Sequence, residues 1–197
     1  MNKRLRTLLC LLLSLALLGG LCACGEAEEG VFTFDPETYD PNVSYHVNQN
    51  PDGSYSFYVA DYAGNIFYAR ESEPYAPKFT KLTASVLQIT APMATAPQKQ
   101  WAVFCDVRTK KTSGLFGDFL VAKGNYVAQL EYLSDQYHVF VREIFNPDVD
   151  PQTTTLMGLV PNKDAQLYEK AVLNKDGNLE ITYETHAGKK TVTIEMP

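Results

Sequence analysis

Histidine is scarce in this 197-residue chain, which contains only three such residues. His46, His138 and His186 are far apart, and none has a partner at a spacing typical of metal ligands, such as H-x3-H or H-E-x-x-H. We expect His138 to lie in the core or at its rim and His186 to be solvated in a turn. The sequence therefore predicts no metal site and no cofactor, and it contains no convincing serine-nucleophile motif.

Cysteine is also scarce, and the four residues are unevenly placed. Three of them lie in the first 24 residues, so Cys105 is alone in the rest of the chain. A single thiol forms no internal disulfide, so that part of the chain must be stabilised by an apolar core, for which about 150 residues are enough. Cys105 shares a face of a predicted strand with Trp101, where a small buried hydrophobe fits better than a catalytic nucleophile.

The first residues have the organisation of a secretory leader. Three basic residues, Lys3, Arg4 and Arg6, precede an apolar segment at 8–18 that is broken only by Ser14. This apolar segment is too short for a comfortable membrane span. The order of a basic region, an apolar region and small residues predicts export from the cytoplasm.

The end of this leader resembles a bacterial lipobox, the motif that directs attachment of a diacylglycerol to a cysteine and removal of the residues before it. Leu21, Ala23 and Cys24 match the motif, whereas Cys22 at position −2 is unusual. The resemblance implies that residues 1–23 are a lipoprotein signal peptide and that Cys24 carries fatty acids such as palmitate. Two acyl chains hold a protein stably on a bilayer. The alternatives are modification of Cys22, which would put bulky Leu21 at the cleavage site, and an ordinary signal peptide without lipid.

Acidic residues outnumber basic ones, with 23 Asp and Glu against 17 Lys and Arg. Loss of residues 1–23 removes three positive charges and no negative ones, which changes the net charge from −6 to −9. This balance argues against nucleic acid as a partner and against electrostatic docking on anionic lipid. Residues 24–42 contain six acidic side chains among Gly and Pro, which indicates a flexible acidic tether. We expect residues 43–197 to form a single extracytoplasmic domain.

Sustained helical periodicity is absent, and short segments of alternating polarity are separated by turns rich in Gly, Asn, Asp and Pro. This pattern predicts an all-β antiparallel meander of about ten strands, arranged as a β-sandwich or as a partial propeller-like stack of sheets. Residues 101–107 are apolar on both faces and predict a central strand, and residues 178–196 predict a meander with one buried and one wet face. Residues 91–100 contain two prolines and predict a surface loop, and residues 165–173 fit a strand better than a helix.

Two resemblances accompany this pattern. Residues 61–83 and the segment that begins at residue 175 resemble single blades of β-propellers, since each has a turn with Asp and Gly before a strand. About ten strands are too few for a full propeller, which needs at least four four-stranded blades. With its leader and the strands WAVFCDV (101–107) and GNYVAQLEY (124–132), the chain is also similar to small lipoproteins of Firmicutes, particularly Clostridia. That resemblance implies a location on the cell membrane and no particular activity.

Aromatic residues are concentrated in and after the first predicted hairpin. The main interpretation is that half of them face the core and the others cover strand edges. The functional alternative is an aromatic platform for a sugar or a peptide. A half-buried sheet hides one face only, so some of Tyr58, Tyr62 and Tyr68 should remain exposed. These three tyrosines are the candidate ligand-binding residues, close to the predicted loop at 73–78.

The leading hypothesis is a non-enzymatic lipoprotein, tethered to the membrane through Cys24, that binds an envelope protein or a cell-wall glycan on the extracytoplasmic face. The competing hypothesis is an envelope hydrolase that acts on glycans through paired carboxylates such as Asp106 and Glu143, although nothing in the sequence selects a pair. A third hypothesis is an accessory lipoprotein of a larger membrane complex. Residues 146–150 have side-chain oxygens at alternate positions, as does the start of a calcium-binding loop. The Gly and Glu that an EF-hand loop requires further on are missing, so a proline turn is favoured.

Overall fold

The computed structural model describes residues 44–160 and 167–197, which lie within one compact unit, Asp40–Pro197. The predicted signal peptide at 1–23, the predicted tether at 24–42 and Cys24 fall outside the described residues. Strands provide the regular structure of the described part, and it contains no helix long and apolar enough to cross a membrane.

Within residues 44–160 and 167–197, fourteen strands form four antiparallel sheets, A to D in chain order, and neighbouring strands within each sheet are consecutive in sequence. Sheet A contains β1 (Tyr45–Gln49), β2 (Tyr55–Ala60) and β3 (Ile66–Glu73), and sheet B contains β4 (Lys78–Lys81), β5 (Val86–Met93), β6 (Ala96–Asp106) and β7 (Lys111–Thr112). Sheet C contains β8 (Phe119–Lys123), β9 (Tyr126–Leu133), β10 (Gln136–Glu143) and β11 (Gln152–Thr155), and sheet D contains β12 (Lys170–Leu173), β13 (Leu179–Thr185) and β14 (Gly188–Ile194). The predicted all-β antiparallel meander is confirmed.

Each pair of consecutive sheets encloses its own apolar cluster. Buried members are Phe57 and Val103 between sheets A and B, Phe104 and Val127 between sheets B and C, and Val139 and Ile181 between sheets C and D. Among the described residues, no such cluster joins sheets A and D. The four sheets therefore form an open stack of meanders, whereas a two-sheet sandwich would have a single shared core.

Strand β6 shows why the middle sheets are covered on both faces. Its alternating side chains Trp101, Val103 and Cys105 pack in the cluster with sheet A, while Ala102 and Phe104 pack in the cluster with sheet C. All five are buried, as predicted for a central strand. Burial of a large apolar side chain contributes about 1.5–3 kcal/mol, so β6 stabilises two interfaces at once.

Sheet D ends the stack with one apolar and one polar face, as predicted for the C-terminal meander. Leu179, Ile181 and Tyr183 of β13 are buried in the cluster with sheet C. On the opposite face, the hydroxyl oxygens of Thr182 and Thr191 lie 2.9 Å apart. A sheet at the end of a stack needs such a polar outer face, because no other sheet of the described residues covers it.

Three hairpin turns share one geometry. In each, a glycine N–H donates to the carbonyl of the first turn residue, whose own N–H donates to the carbonyl of the fifth. The first residues and glycines are Asn50 and Gly53, Asp61 and Gly64, and Asn174 and Gly177. These glycines have φ values of 86°, 83° and 77°, a backbone conformation that residues with a Cβ adopt at a cost. The sequence pattern of Asn or Asp followed three residues later by Gly therefore fixes these turns.

Several expectations about individual strands need correction. The described residues contain fourteen strands rather than about ten, because segments with proline or polar residues are paired. Residues 91–100, predicted to be a surface loop, contain the end of β5 and the start of β6. Pro92 lies beside a β-bulge there, where the missing N–H of a proline is tolerated. The polar residue Lys111 pairs with Asp106 in the short edge strand β7.

Two further segments differ in extent from the sequence pattern. Residues 170–173 form β12, which confirms the strand interpretation for this part of 165–173, and residues 165–166 lie outside the described part. The propeller-like stretch 61–83 contains β3 of sheet A and β4 of sheet B, so it crosses from one sheet to the next.

Candidate functional site

An open cleft of about 310 Å³ lies at one end of the seam between sheets A and B. Its lining includes the aromatic residues Tyr45, Tyr62 and Phe79, the basic residue Lys81 and the apolar residue Val107. Ligand pockets commonly have volumes of about 300–1,000 Å³ and combine apolar walls with a few polar groups. We call this site the A/B cleft. Its size and lining suit a ligand that contains a small ring.

Two stacked rings from different sheets form one wall of the A/B cleft. Tyr45 begins β1 and Phe79 lies in β4, and their ring centroids are 4.0 Å apart with an interplanar angle of 3°. Tyr45 pairs with Val59 and Phe79 pairs with Ile89, both of which belong to the A/B core cluster. Because paired residues share a sheet face, strand alternation directs both rings into the seam.

Tyr62 stands at the rim of the A/B cleft with 67% of its surface exposed. It lies in the β2–β3 turn, and its hydroxyl donates a hydrogen bond of 3.4 Å to the carbonyl of Ala84 in the β4–β5 connection. The turn is fixed by Asp61, whose Oδ1 accepts the N–H groups of Ala63 and Asn65 at 2.9 Å each. A large exposed ring is therefore presented on an ordered turn.

An ion pair joins this turn to sheet B. Lys110 Nζ lies 2.5 Å from Asp61 Oδ2, and the Asp61 side chain is buried. The hydrogen bond from Lys110, followed by those from Asn65, holds the pKa of Asp61 well below its usual range. Asp61 therefore stays ionised at neutral pH, and its role in the A/B cleft is to hold the turn.

The structure does not bring the three candidate tyrosines together. Tyr58 is only 4% exposed, which corrects its assignment as an exposed binding residue, and its ring stacks on His46 at 5.5 Å. Tyr68 pairs with Val59, so it faces the seam, where it is half-buried and burial raises its pKa. These two lie on opposite faces of sheet A, since neighbours along a strand alternate. Of the three, Tyr62 lines the A/B cleft.

Sequence reasoning missed Tyr45 and Phe79, the pair that shapes the wall of the A/B cleft. Their contact joins two different sheets, so it has no local signal in the sequence. The predicted neighbourhood was close, because the connection after β3 leads directly into β4, which carries Phe79.

A second cavity, also of about 310 Å³, lies at the seam of sheets B and C. Glu131 in its lining accepts hydrogen bonds from Arg142 Nη2 at 3.0 Å and from the amide of Gln129. Glu143 also lines this cavity, but strand alternation places its side chain on the opposite face of β10 from Arg142. Asp106 does not line it. The cavity therefore contains an engaged carboxylate rather than the Asp106 and Glu143 pair of the hydrolase hypothesis.

Asp106 instead stabilises the turn that follows it. Its carboxylate accepts the N–H of Arg108 at 3.0 Å and the hydroxyl of Thr109 at 2.8 Å. These contacts shape the β6–β7 connection, whose next residue, Lys110, reaches Asp61. The carboxylate thus orders a basic turn beside the A/B cleft.

Cys105 is fully buried in the A/B core cluster, as predicted. Burial raises the pKa of its thiol to about 12, because the apolar surroundings disfavour the thiolate. Nucleophilic cysteines need an accessible thiolate. The position of Cys105 is that of a packing residue.

The histidines lie in three unrelated places. His46 bonds Asn48 at 2.9 Å, His138 bonds the hydroxyl of Thr155 at 3.0 Å, and His186 is exposed in a turn. Within 44–160 and 167–197, no group of three or more His, Cys, Asp or Glu side chains is placed to hold a metal ion. The candidate calcium segment at 146–150 contains a turn in which Val149 N–H donates to the carbonyl of Asn146 at 3.4 Å.

The fold and the site together define an all-β stack of antiparallel meanders with an aromatic cleft between its first two sheets. Comparison with family models, with curated proteins and with solved structures gave no match for this chain.

Proposed function

We propose that this chain is a lipid-anchored extracytoplasmic binding module that captures a glycan or a protein of the cell envelope in the A/B cleft. The observation that carries the proposal is the exposed ring of Tyr62 beside the stacked rings of Tyr45 and Phe79. The anchor rests on the sequence alone, on the basic and apolar leader and the lipobox-like residues before Cys24.

The chemistry of the A/B cleft favours binding over catalysis. Tyrosine provides a large rigid ring and a hydroxyl that forms hydrogen bonds, which makes it effective in recognition of glycans and proteins. A general acid must carry a proton near neutral pH, whereas the lowered pKa of Asp61 leaves its carboxyl group ionised there. Its carboxylate is also occupied by Lys110 and two backbone amides.

The test is capture of the full-length chain, in detergent, by isolated envelope fragments from the organism that encodes it. Tyr62→Ala should reduce the bound fraction by about tenfold, as the loss of a central aromatic contact does in other interfaces. Tyr62→Phe keeps the ring and should retain most of the binding.

Tyr132→Ala is the matched control, because Tyr132 is similarly exposed, at 56%, but lies in sheet C. This variant should bind like the wild type. Equal capture of the Tyr62→Ala and wild-type chains would refute the A/B cleft as the binding site.

A further inference from the structure

We infer that the ligand of the A/B cleft is an anionic glycan, whose sugar rings carry carboxylate or phosphate groups. This inference rests on the proposed binding function and names the class of ligand for the same site. It follows from the basic side chains that surround the aromatic rings.

Three basic residues lie on the segments beside the aromatic lining. Lys81 ends β4 and lines the A/B cleft, while Arg108 and Lys110 belong to the β6–β7 turn that follows the cleft residue Val107. The ion pair of Lys110 with Asp61 holds this turn against the turn that carries Tyr62. We call Lys81, Arg108 and Lys110 the basic rim.

The basic rim has exposed positive charge. Lys110 is neutralised by Asp61, but Lys81 and Arg108 form no ion pair with any residue of 44–160 or 167–197. The side chains of Lys81 and Arg108 are also exposed. With Asp61 and Asp106 as its acidic neighbours, the rim has one more basic than acidic side chain, whereas the whole chain has a net charge of −6.

The contrast between the rim and the whole chain determines which anion fits. An extended anionic surface, such as a membrane, would meet the field of the whole acidic chain and be repelled. A slender polymer can contact the rim alone, because charges more than about 8–10 Å away are screened at physiological ionic strength. The basic rim therefore favours a chain-like anion over a lipid surface.

The aromatic rings determine the rest of the ligand. A sugar ring has an apolar face that can lie on Tyr62, and an acidic substituent on the same or the next sugar reaches a cation of the rim. A neutral glycan would offer no opposite charge to Lys81 and Arg108. A simple inorganic anion would leave the rings without one.

The experiment measures affinity by calorimetry, with the full-length chain in neutral detergent micelles. The probes are an oligogalacturonate, which carries one carboxylate per sugar, and a neutral maltohexaose. The wild-type chain should bind the anionic probe at least about tenfold more tightly than the neutral one, and this preference should shrink as salt is added.

The decisive variant is the double change Lys81→Gln with Arg108→Gln, which leaves Lys110 and its ion pair with Asp61 intact. It should lose about tenfold or more of its affinity for the oligogalacturonate and keep its affinity for maltohexaose and its thermal unfolding midpoint. The control is Lys175→Gln with Lys190→Gln, two exposed lysines of the sheet D region, which should change neither affinity.

Each contrary outcome has a distinct meaning. Equal binding of both glycans, sensitive to Tyr62→Ala, would overturn the anionic ligand and leave the binding function standing. The oligogalacturonate could also be displaced by micelles that contain phosphatidylglycerol. If this displacement is lost in the basic-rim variant, the rim binds a lipid surface and the inference is overturned. Absence of any glycan binding would also overturn the inference. Capture of the chain by envelope proteins would in that case still support the proposed binding function.

Discussion

Lys110 of sheet B reaches across to Asp61 of sheet A, and its Nζ lies 2.5 Å from the Asp61 Oδ2. Both residues belong to hairpin turns, so the ion pair connects two segments that sheet hydrogen bonds do not join. Because Asp61 also accepts the N–H groups of Ala63 and Asn65, one carboxylate fixes its own turn and the neighbouring sheet. The position of Tyr62 at the rim of the A/B cleft follows from this arrangement.

Asp61→Asn should lower the urea midpoint of unfolding at pH 7. Asparagine keeps an oxygen for the two amides but loses the charge that binds Lys110. The pKa of Asp61 is lowered in the folded chain, so its contribution to stability is complete above the unfolded value, near 3.8, and is lost as the pH falls below it. The difference between wild type and variant should therefore be largest near neutral pH and should shrink between about pH 4 and pH 2.

Asp176→Asn provides the comparison, because Asp176 is an exposed acid in the analogous turn of sheet D. Its effect on the urea midpoint should be small both at pH 7 and near pH 2. A constant difference between Asp61→Asn and the wild type across this range would contradict the role of the ionised carboxylate.

Cys105 should be unreactive in the folded chain. Its pKa of about 12 and its complete burial leave almost no accessible thiolate at pH 8. A thiol reagent should therefore modify Cys105 only after the protein is unfolded in denaturant. Cys105→Ala should cost about 1 kcal/mol of packing, and Cys105→Ser should cost more because its hydroxyl would be buried without a designed partner. Rapid modification of the native chain, with peptide mapping to Cys105, would show that the thiol is accessible.

Tyr62→Ala and Tyr68→Ala should differ in their effects on stability, although both remove a tyrosine from the first hairpin region. Tyr68 packs against Phe57 in the A/B core cluster, with ring centroids 6.1 Å apart, and its loss should cost about 1–3 kcal/mol. Tyr62 is mostly exposed, so its loss should leave the thermal midpoint nearly unchanged. Thermal unfolding followed by circular dichroism distinguishes the two, and equal destabilisation would mean that Tyr62 is part of the core.

The parts of the fold that were predictable are those with a local pattern. Alternation along β6 identified a strand apolar on both faces, and alternation along β13 and β14 identified a sheet with one wet face. Turns were predictable because Asn or Asp and Gly occur at the spacing that their hydrogen bonds require. These features depend on neighbours within a few residues, so the sequence contains them directly.

The A/B cleft was predictable only in part, because it is formed by contacts between sheets. Tyr62 was identified from an excess of aromatic residues, but Tyr45 and Phe79 meet across 33 intervening positions and give no joint signal. Tyr58 was one of three tyrosines of which some were expected to remain exposed, yet it is buried despite its position on the face of sheet A that points away from sheet B. Which face of an edge sheet is covered depends on tertiary packing, and alternation alone does not determine it.

The membrane anchor gives the last prediction. If Cys24 carries the lipid, Cys24→Ala should abolish incorporation of an alkyne-bearing fatty acid during growth and leave a precursor that is poorly processed or released from the membrane. Cys22→Ala removes the neighbouring thiol and places a small residue at position −2, so this variant should still be labelled. The measurement is in-gel fluorescence of the labelled chain, together with its apparent mass and its distribution between membrane and medium. Label that persists on the Cys24→Ala chain and disappears from the Cys22→Ala chain would move the anchor to Cys22. Absence of label from the wild-type chain, with cleavage near Ala23, would replace the lipid anchor by an ordinary signal peptide.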